Sequence, residues 1–510
     1  MPLPDASATA AVDDGKPCLA PPYGRWTALL VAGSVLFRLA LCASFELVGD
    51  EAYYWLWSRD LSWCYYSKGP GVAAAIRLGT WIAGDTELGV RLVSVLLGAG
   101  TAWGIYSLAR RLFSARAGFW SVVVVSLTPI YFAGGLLMTT DPISVFFWVW
   151  AARLFVGMAS GASLSRWAAV GVLIGLGMLG KFTSVAQLAC FALYLAWTPE
   201  GRVQFRRPGF WIMAAAALLA LLPVLHWNVE HDWITFRHLR QRGAMDRPWS
   251  FSLPDLLEFL GLQAAVYFPP FVAGAVAAFA GSRAWRRGHA DTYRYLASLT
   301  IPLLVFYTVL ATHDAGQPNW TVAASPSALI LLTARALDWT RESARLRRLA
   351  AGTLIAAAAV SVLLAAAVHI RLPGRDDPLR RIRGARTLAA ATEAFRKDQA
   401  ASFVLASDYQ VASLLSFYMP GRPRVYFPRG DRVRNQFAFW PGYENMPAGS
   451  HAVLVAKEPR FPPTLLDEFR RLGKPWEVVT TWRGHRVRSF YRHLCRDFKS
   501  ATEPATPAAE

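Results

Sequence analysis

Residues Glu46–Gly71 read ELVGDEAYYWLWSRDLSWCYYSKGPG. The stretch follows directly on the first long apolar run, is too polar to cross a bilayer, and is too aromatic to be an ordinary linker. It opens on an adjacent carboxylate pair, Asp50-Glu51, and continues through Tyr53, Tyr54, Trp55 and Trp57 to Tyr65, Tyr66 and Lys68. Aromatic rings with an apolar body and a polar tip favour the membrane–water boundary. An acid pair held at that depth, with a lysine close behind, forms a candidate reaction centre; a plain aromatic belt with solvated charges is the competing reading.

The rest of the chain supports a membrane setting. Over 510 residues the hydrophobic fraction is 54%, with 21 Trp, and mean hydropathy is +0.29. Repeated apolar runs near the length of a bilayer span distinguish it from a soluble domain. The formal net charge of +19 does not point to nucleic acid, because the arginines sit in short clusters between apolar runs, which is the pattern of membrane orientation. Five cysteines make no CxxC pair and no metal spacing. Cys42 and Cys190 lie in apolar runs, and a bridge between Cys64 and Cys495 is conceivable. Residues 1–24 are polar and Ala/Pro-rich and read as a disordered cytoplasmic N-terminus without signal-peptide features, so the first span is expected to be a retained anchor.

About eleven spans are expected: Trp26–Leu47, Gly89–Leu108, Ala117–Leu136, Pro142–Met158, Trp167–Leu179, Thr183–Trp197, Phe210–His226, Leu256–Ala280, Tyr295–Ala311, Trp320–Leu337 and Leu349–Ile370. One alternate set of loops carries Arg110, Arg111, Arg116, Arg153, Arg166, Arg202, Arg206, Arg207, Arg283, Arg286, Arg287 and Arg294, then Arg335 to Arg348, and Lys16 and Arg25 belong with it. That set is expected to be cytoplasmic. The other face receives the first loop (48–88, with juxtamembrane helices), the loop after Leu136, the turn at Gly180-Lys181-Phe182, the loop His226–Asp255, the loop Thr312–Asn319 and everything after Ile370. Residues 25–370 thus read as a transmembrane catalytic domain.

Residues 371–500 read as a small soluble α/β domain on the outer side. Ser402–Ala406 and His451–Ala456 have the look of buried strands. Thr387–Lys397, Asp408–Tyr418 and Pro463–Leu472 are expected to be helical, and Trp476–Trp482 with Arg486–Tyr491 to form a hairpin around Arg483-Gly484. Residues 501–510 read as a disordered tail.

Several side chains on the outer face suit chemistry. A carboxylate at bilayer depth is costly without partners or a task, and Asp50, within reach of an acceptor hydroxyl, can act as a general base. Glu51 points elsewhere on a helix, where it orients loops or pairs with a cation. Lys68 is a point charge suited to a phosphate, although a snorkelling lysine has the same signature. Asp141 precedes Pro142 at a helix start, where capping is the ordinary explanation, yet its loop shares a face with Asp50. Arg91 begins the second span and suits either a phosphate or an acid. Arg237, Arg240, Arg242 and Arg247 place positive charge on the disfavoured side, for which binding an anion is the simplest reason. Tyr53, Tyr54, Tyr66, Lys181, His313 and Asn319 are expected to line a substrate site. His313 and Asp314 do not by themselves make a metal site, and no nucleotide-phosphate loop or G-x-S-x-G occurs.

Gly49-Asp50-Glu51-Ala52-Tyr53-Tyr54-Trp55, Tyr65-Tyr66-Ser67-Lys68-Gly69-Pro70-Gly71 and Gly89-Val90-Arg91-Leu92 together resemble the first outer loop of bacterial membrane glycosyltransferases of families 39 and 83. These are related to protein O-mannosyltransferases and to the aminoarabinose transferase that modifies lipid A. Thr140-Asp141-Pro142, Gly180-Lys181-Phe182 and Gln317-Pro318-Asn319-Trp320 are similar to the same group. So are Ser407-Asp408-Tyr409-Gln410 with Ser416-Phe417-Tyr418, and Arg434-Asn435-Gln436-Phe437, so that the likeness covers roughly residues 27–495. The resemblance implies a polytopic GT-C architecture and an inverting transfer, on the periplasmic face of the bacterial inner membrane. The implied donor is a sugar on polyprenyl (undecaprenyl) phosphate, and the acceptor a lipid, glycan or protein. It implies catalytic roles for Asp50 and Asp141 and a donor-phosphate role for Lys68; Arg91 or an arginine from Arg237–Arg247, Arg242 foremost, is expected to assist Lys68. A divalent metal is left open as a cofactor. Ser67 stands where the aminoarabinose enzyme has a glutamate, so the metal at that glutamate is not carried over. The rival classes are a lipid or glycan transporter or flippase, which calls for mid-span charges and an inverted repeat, and a structural scaffold. The acids lie instead at span ends on one face, and no repeat is apparent.

Overall fold

The computed structural model describes residues 22–281, 283–370, 377, 379–428, 430, 432–462 and 464–499. The tails expected at 1–24 and 501–510 fall outside these residues except for 22–24, where Tyr23 already opens the first helix; Lys16 and the Arg283 side chain also lie outside.

Every expected apolar segment is largely helical. The first loop and its flanks give α1 (Tyr23–Cys42), α2 (Gly49–Arg59), α3 (Gly71–Ala83) and α4 (Glu87–Leu112). The next segment is broken into α5 (Ala115–Ser126) and α6 (Pro129–Gly134), because Pro129 has no N–H to continue the ladder. Then come α7 (Thr140–Phe155), α8 (Leu164–Gly180), α9 (Ala186–Trp197), α10 (Pro199–Gln204), α11 (Pro208–Leu219), α12 (Leu222–Glu230) and α13 (Ile234–Arg242). α14 (Leu253–Tyr267) and α15 (Pro269–Ala280) meet at 103°. Phe268 carries φ 70° at that corner, ahead of Pro269-Pro270. α16 (Arg283–Gly288), α17 (Ala290–Leu310), α18 (Ser325–Glu342) and α19 (Ala344–Ala367) complete the helical part.

Among the described residues five helical segments are long and apolar enough to cross a bilayer: α1, α4, Pro208–Glu230, α17 and α19. The bent α14–α15 pair makes a sixth. The other expected segments are shorter, broken or less apolar among the described residues. The chain is a multi-pass membrane protein. α3 lies between two spans and buries Val72, Ala73 and Ile76 while exposing Leu78, Trp81 and Ile82. An apolar exposed face with a Trp at its end suits a helix lying along the bilayer surface.

The C-terminal region is the expected α/β layer. β1 (Phe403–Ala406) and β2 (Ala452–Ala456) are parallel, and β2 then pairs antiparallel with β5 (His485–Phe498). β3 (Phe469–Leu472) and β4 (Trp476–Trp482) both pair antiparallel with β5. α20 (Ala385–Asp398) and α21 (Tyr409–Tyr418) pack on this sheet. Arg483 and Gly484 both have positive φ, 48° and 78°, as a tight two-residue hairpin turn requires. One expectation fails here. Pro463–Leu472 is not a helix: only the short α22 (Leu465–Glu468) forms, and Phe469 then pairs with Phe498 and Leu472 with Cys495 along an edge of the sheet. Pro463 lies outside the described residues. The Cys64–Cys495 bridge is also absent. Both thiols are free and buried, Cys64 against Thr235 and Asn228, Cys495 inside the sheet.

The two parts share a core. Leu47, Tyr53, Trp55 and Trp57 of the first loop pack in one cluster with Leu414 and Phe417 of α21. Each large side chain buried this way contributes about 1.5–3 kcal/mol, so the sheet region is fastened onto the first loop rather than tethered beside it.

Candidate functional site

The two members of the acid pair have different surroundings. Glu51 is fully buried, and so is Arg91 on α4. Glu51 Oε1 accepts from Arg91 Nε at 2.8 Å and from the Met138 N–H at 3.0 Å. Its Oε2 accepts from Arg91 Nη2 at 2.6 Å and from the Val48 N–H at 3.1 Å. Arg91 also donates to the carbonyls of Cys42, Phe45 and Glu46 and lies over the Phe45 ring. A bidentate pair with every donor used is the arrangement that tolerates burial. It ties the end of α1, the start of α2, α4 and the loop before α7 to one another. The expectation that Arg91 assists a donor phosphate is therefore corrected: its five N–H groups are all consumed inside the protein. Glu51 takes the orienting role, and a catalytic one is corrected for the same reason.

A second cluster joins three more loops. Thr139 caps α7 by accepting from the Asp141 N–H. Asp141 Oδ1 accepts from Lys181 Nζ at 2.7 Å, and its Oδ2 from Asn319 Nδ2 at 2.5 Å. Lys181 also donates to the Asn319 carbonyl at 3.1 Å. Capping alone would leave the Asp141 carboxylate to solvent; here it cross-links α7, the α8–α9 turn and the loop before α18.

Lys68 arrives on the Gly69-Pro70-Gly71 turn. A side chain at either glycine would run into the backbone carbonyl of Leu179, which explains why this turn can pass so close to the end of α8. Burial, then the neighbouring cations Lys181 and Arg242, push the Lys68 ammonium down to about 8, with Asp141 and Asp50 acting the other way. Lys68 thus lies within the field of both acids and both cations. His238 on α13 packs against Tyr66, ring centroids 4.7 Å apart. Burial first, then Lys68 and Arg242, hold it down to about 4, so it is neutral at physiological pH. Arg242 itself is solvent-exposed.

Asp50 is half-buried at the start of α2. Its Oδ1 accepts from Tyr409 Oη at 3.2 Å and from Gln410 Nε2 at 3.0 Å, both on α21. Among the described residues, Oδ2 has no hydrogen-bond or ion-pair partner. The Asp50 and Asp141 charges both act on Tyr54, whose hydroxyl is raised well above its usual range, chiefly by burial.

The remaining expected site residues divide. Tyr53 is buried; its hydroxyl accepts from the Gln436 N–H at 2.5 Å and its ring stacks on Phe437. The Tyr66 N–H donates to Gln436 Oε1. Tyr53 is therefore corrected from a substrate contact to a contact with the C-terminal region. His313 accepts from the Ser250 N–H at Nδ1, which leaves Nε2 to donate to the Ala244 carbonyl, and it stacks on Trp249. It fastens the loop after α13, and its expected substrate role is corrected accordingly. Sequence reasoning missed His238, Tyr409, Gln410 and Gln436 as site neighbours. The last three lie in motifs quoted above, but nothing along the chain shows which of their atoms meet Asp50, Tyr53 and Tyr66. Among the described residues no three His, Cys, Asp or Glu side chains converge on one point.

Below Asp141 and Asn319 a cavity of about 250 Å³ runs between α1, α4, α5 and α6, lined by Val31, Val35, Val95 and Ala99 with Arg38 at one wall. Arg38 donates to the carbonyls of Tyr131 and Phe132 and to Ser34 Oγ. The site therefore joins a polar cluster to an apolar cleft between membrane helices.

Residues 67–227 match the family model described as dolichyl-phosphate-mannose-protein mannosyltransferase. The lipid A galacturonosyltransferase RgtD of Rhizobium johnstonii is 28% identical over 309 residues, 59% of this chain and 64% of the relative. The undecaprenyl phosphate-α-4-amino-4-deoxy-L-arabinose arabinosyl transferase 1 of Pseudomonas fluorescens is 26% identical over 381 residues, 67% of this chain and 63% of the relative. The match thus spans just under two thirds of the length of these curated relatives. The chain is thus similar, over this part of its length, to glycosyltransferases. ArnT from Cupriavidus metallidurans superposes with a TM-score of 0.60 in the apo state and 0.59 bound to undecaprenyl phosphate. Both comparisons are at 17% identity and cover 92% of this chain and 98% of that one. The GT-C fold thus includes the C-terminal α/β region as well as the helices.

Proposed function

We propose that this chain is an integral membrane glycosyltransferase. It moves a sugar from a polyprenyl phosphate, undecaprenyl phosphate in a bacterial inner membrane, to a hydroxyl or phosphate acceptor on the periplasmic face. The observation that carries the reading is the juxtaposition at Asp50. A carboxylate with one unpaired oxygen, Asp50, lies with Asp141, Lys181 and Arg242 in the electrostatic surroundings of Lys68, and Asp141 also lines an apolar cleft between membrane helices. The relatives' printed names add sugar transfer from lipid phosphates. The arginine alternation favours a periplasmic site, and about eleven crossings when the shorter helices are included.

In this reading the donor phosphate binds Lys68, with Arg242 at the exposed rim. Asp50 Oδ2 accepts the proton of the acceptor hydroxyl as that oxygen attacks the anomeric carbon. Attack opposite the departing polyprenyl phosphate inverts the centre. Lys68 stabilises the charge developing on the leaving group, while Asp141, held by Lys181 and Asn319, fixes the loops around the sugar. No step is routed through a metal.

The test is transfer by the purified protein from polyprenyl-phosphate sugars, with candidate acceptors drawn from envelope lipids and glycans. Mass spectrometry of those molecules from a deletion strain identifies sugar and acceptor. Asp50→Asn retains an oxygen able to accept from Tyr409 and Gln410 but loses basicity, so transfer is abolished with folding intact. Substantial residual turnover would refute the base assignment.

A further inference from the structure

The C-terminal region reaches the proposed base directly. Tyr409 and Gln410 open α21, and both donate to the same oxygen of Asp50, Oδ1. Gln410 Nε2 also lies 3.4 Å from Tyr409 Oη, so the two donors brace each other. A side chain at Gly49 would collide with Gln410, which lets α21 settle against the first turn of α2. Asp408 sets the start of α21 by accepting from the N–H groups of Gln410 and Val411, and is held in turn by Lys457 at 2.6 Å. Glu46 accepts from the N–H of Ala385 at the start of α20, and Tyr418 Oη accepts from the Leu47 N–H while donating to Glu87. The first loop is therefore gripped on both sides of Asp50.

We propose that Gln410, with Tyr409, is a positioning residue for Asp50: the pair engages Oδ1, fixes the carboxylate rotamer and leaves Oδ2 as the oxygen that takes the acceptor's proton. Neither residue needs to touch substrate for this. Donation to an ionised carboxylate favours the ionised form, which is the form able to accept a proton. Tyr409 stays a donor because burial and the Asp50 charge both raise its own hydroxyl. Titratable and charged groups facing Asp50 from packed elements are Tyr409 on α21, Tyr54 on its own helix and Lys68 from the first-loop turn. Of these, Lys68 is the only cation, and it is not bonded to the carboxylate.

The inference rests on Asp50 being the base, and the experiment separates the two. Turnover and its pH dependence are measured for the full chain in detergent or nanodiscs, for wild type, Gln410→Leu, Tyr409→Phe and Asp50→Asn. Binding of undecaprenyl phosphate is measured alongside. For Gln410→Leu, kcat falls about tenfold, equivalent to about 1.4 kcal/mol, with phosphate binding unchanged. The acid limb of its rate profile moves upward by about one pH unit. Tyr409→Phe moves the limb in the same direction by less and supplies the profile if Gln410→Leu turns over too slowly to be followed. An acid limb that stays in place in the variants that can be profiled overturns the positioning role, even where activity drops, since a purely structural loss lowers the rate without moving the limb. An active Asp50→Asn instead removes the base assignment on which the role depends.

Discussion

Replacing Arg91 by Lys keeps the charge and discriminates sharply between the two uses open to that residue. Arg91 makes five hydrogen bonds, two to Glu51 and three to the carbonyls of Cys42, Phe45 and Glu46. An ammonium has three donors on a single centre and cannot span both groups of acceptors. At least two buried acceptors lose their partner, each at about 1–3 kcal/mol. Two such losses sum to about 2–6 kcal/mol. At about 2 °C per kcal/mol, the lower edge for larger domains, Tm falls by about 4–12 °C. The assay is thermal unfolding of the detergent-solubilised protein, with and without undecaprenyl phosphate, beside the donor KM. The expected result is a lower Tm, a lower kcat because both acid-bearing loops loosen, and a similar Tm increment from added phosphate. A variant with wild-type stability and only a raised donor KM would refute the reasoning and return Arg91 to the phosphate. A double-mutant cycle with Glu51→Gln adds a second check: the losses fall well short of additive, because either change breaks the same pair.

Three further outcomes follow from the same geometry. Binding of undecaprenyl phosphate weakens as pH rises through about 8, where Lys68 loses its proton; Lys68→Met binds it more weakly and without that alkaline fall, as isothermal titration would show. Tyr53→Phe leaves the Gln436 N–H short of an acceptor and costs about 1–3 kcal/mol of stability with donor and acceptor KM unchanged; a raised KM at full stability would restore Tyr53 to the substrate site. Truncation after residue 370 removes α21 and the partners of Tyr53 and Tyr66, so transfer is lost and trypsin cuts at Arg59 or Lys68 faster than in the full chain; equal cleavage rates would show that the first loop holds itself.

The helical part was legible because apolar runs and arginine clusters are one-dimensional signals, and each expected span falls largely on helix. Its breaks were less so. Pro129 and Pro269 are visible, but the angle at Phe268 depends on what α15 packs against. The strands at Phe403–Ala406 and Ala452–Ala456 announced themselves as short apolar runs. The segment Phe469–Leu472 did not, since two arginines between apolar ends suit an edge strand and a helix turn alike, and pairing with β5 decided it. Within the site, Asp50 and Lys68 stood out from the aromatic stretch. The pairing of Asp141 with Lys181 and Asn319 needed three loops to be brought together, and charge alternation placed them on one face without choosing partners. For Arg91 a phosphate and an acid are equally open from sequence, and only Glu51 and the carbonyls turned toward it decide for the acid.

Adjacent acids in one helical turn need not share a task, and here their surroundings separate them. Residues one apart on a helix point about 100° from each other, so Asp50-Glu51 aims one carboxylate at α21 and the other at α4. The inward one is made permanent by Arg91 and holds the Met138 N–H, two residues before Thr140-Asp141 opens α7. The outward one is half-held, with one oxygen engaged and one left over. A fully satisfied buried pair makes a rigid reference but a poor base, because its charge is already neutralised. A carboxylate with a single unengaged oxygen keeps its basicity and has a defined direction. Glu51 therefore matters to the chemistry through the backbone it fixes, and Asp50 through the oxygen that nothing else in the described protein claims.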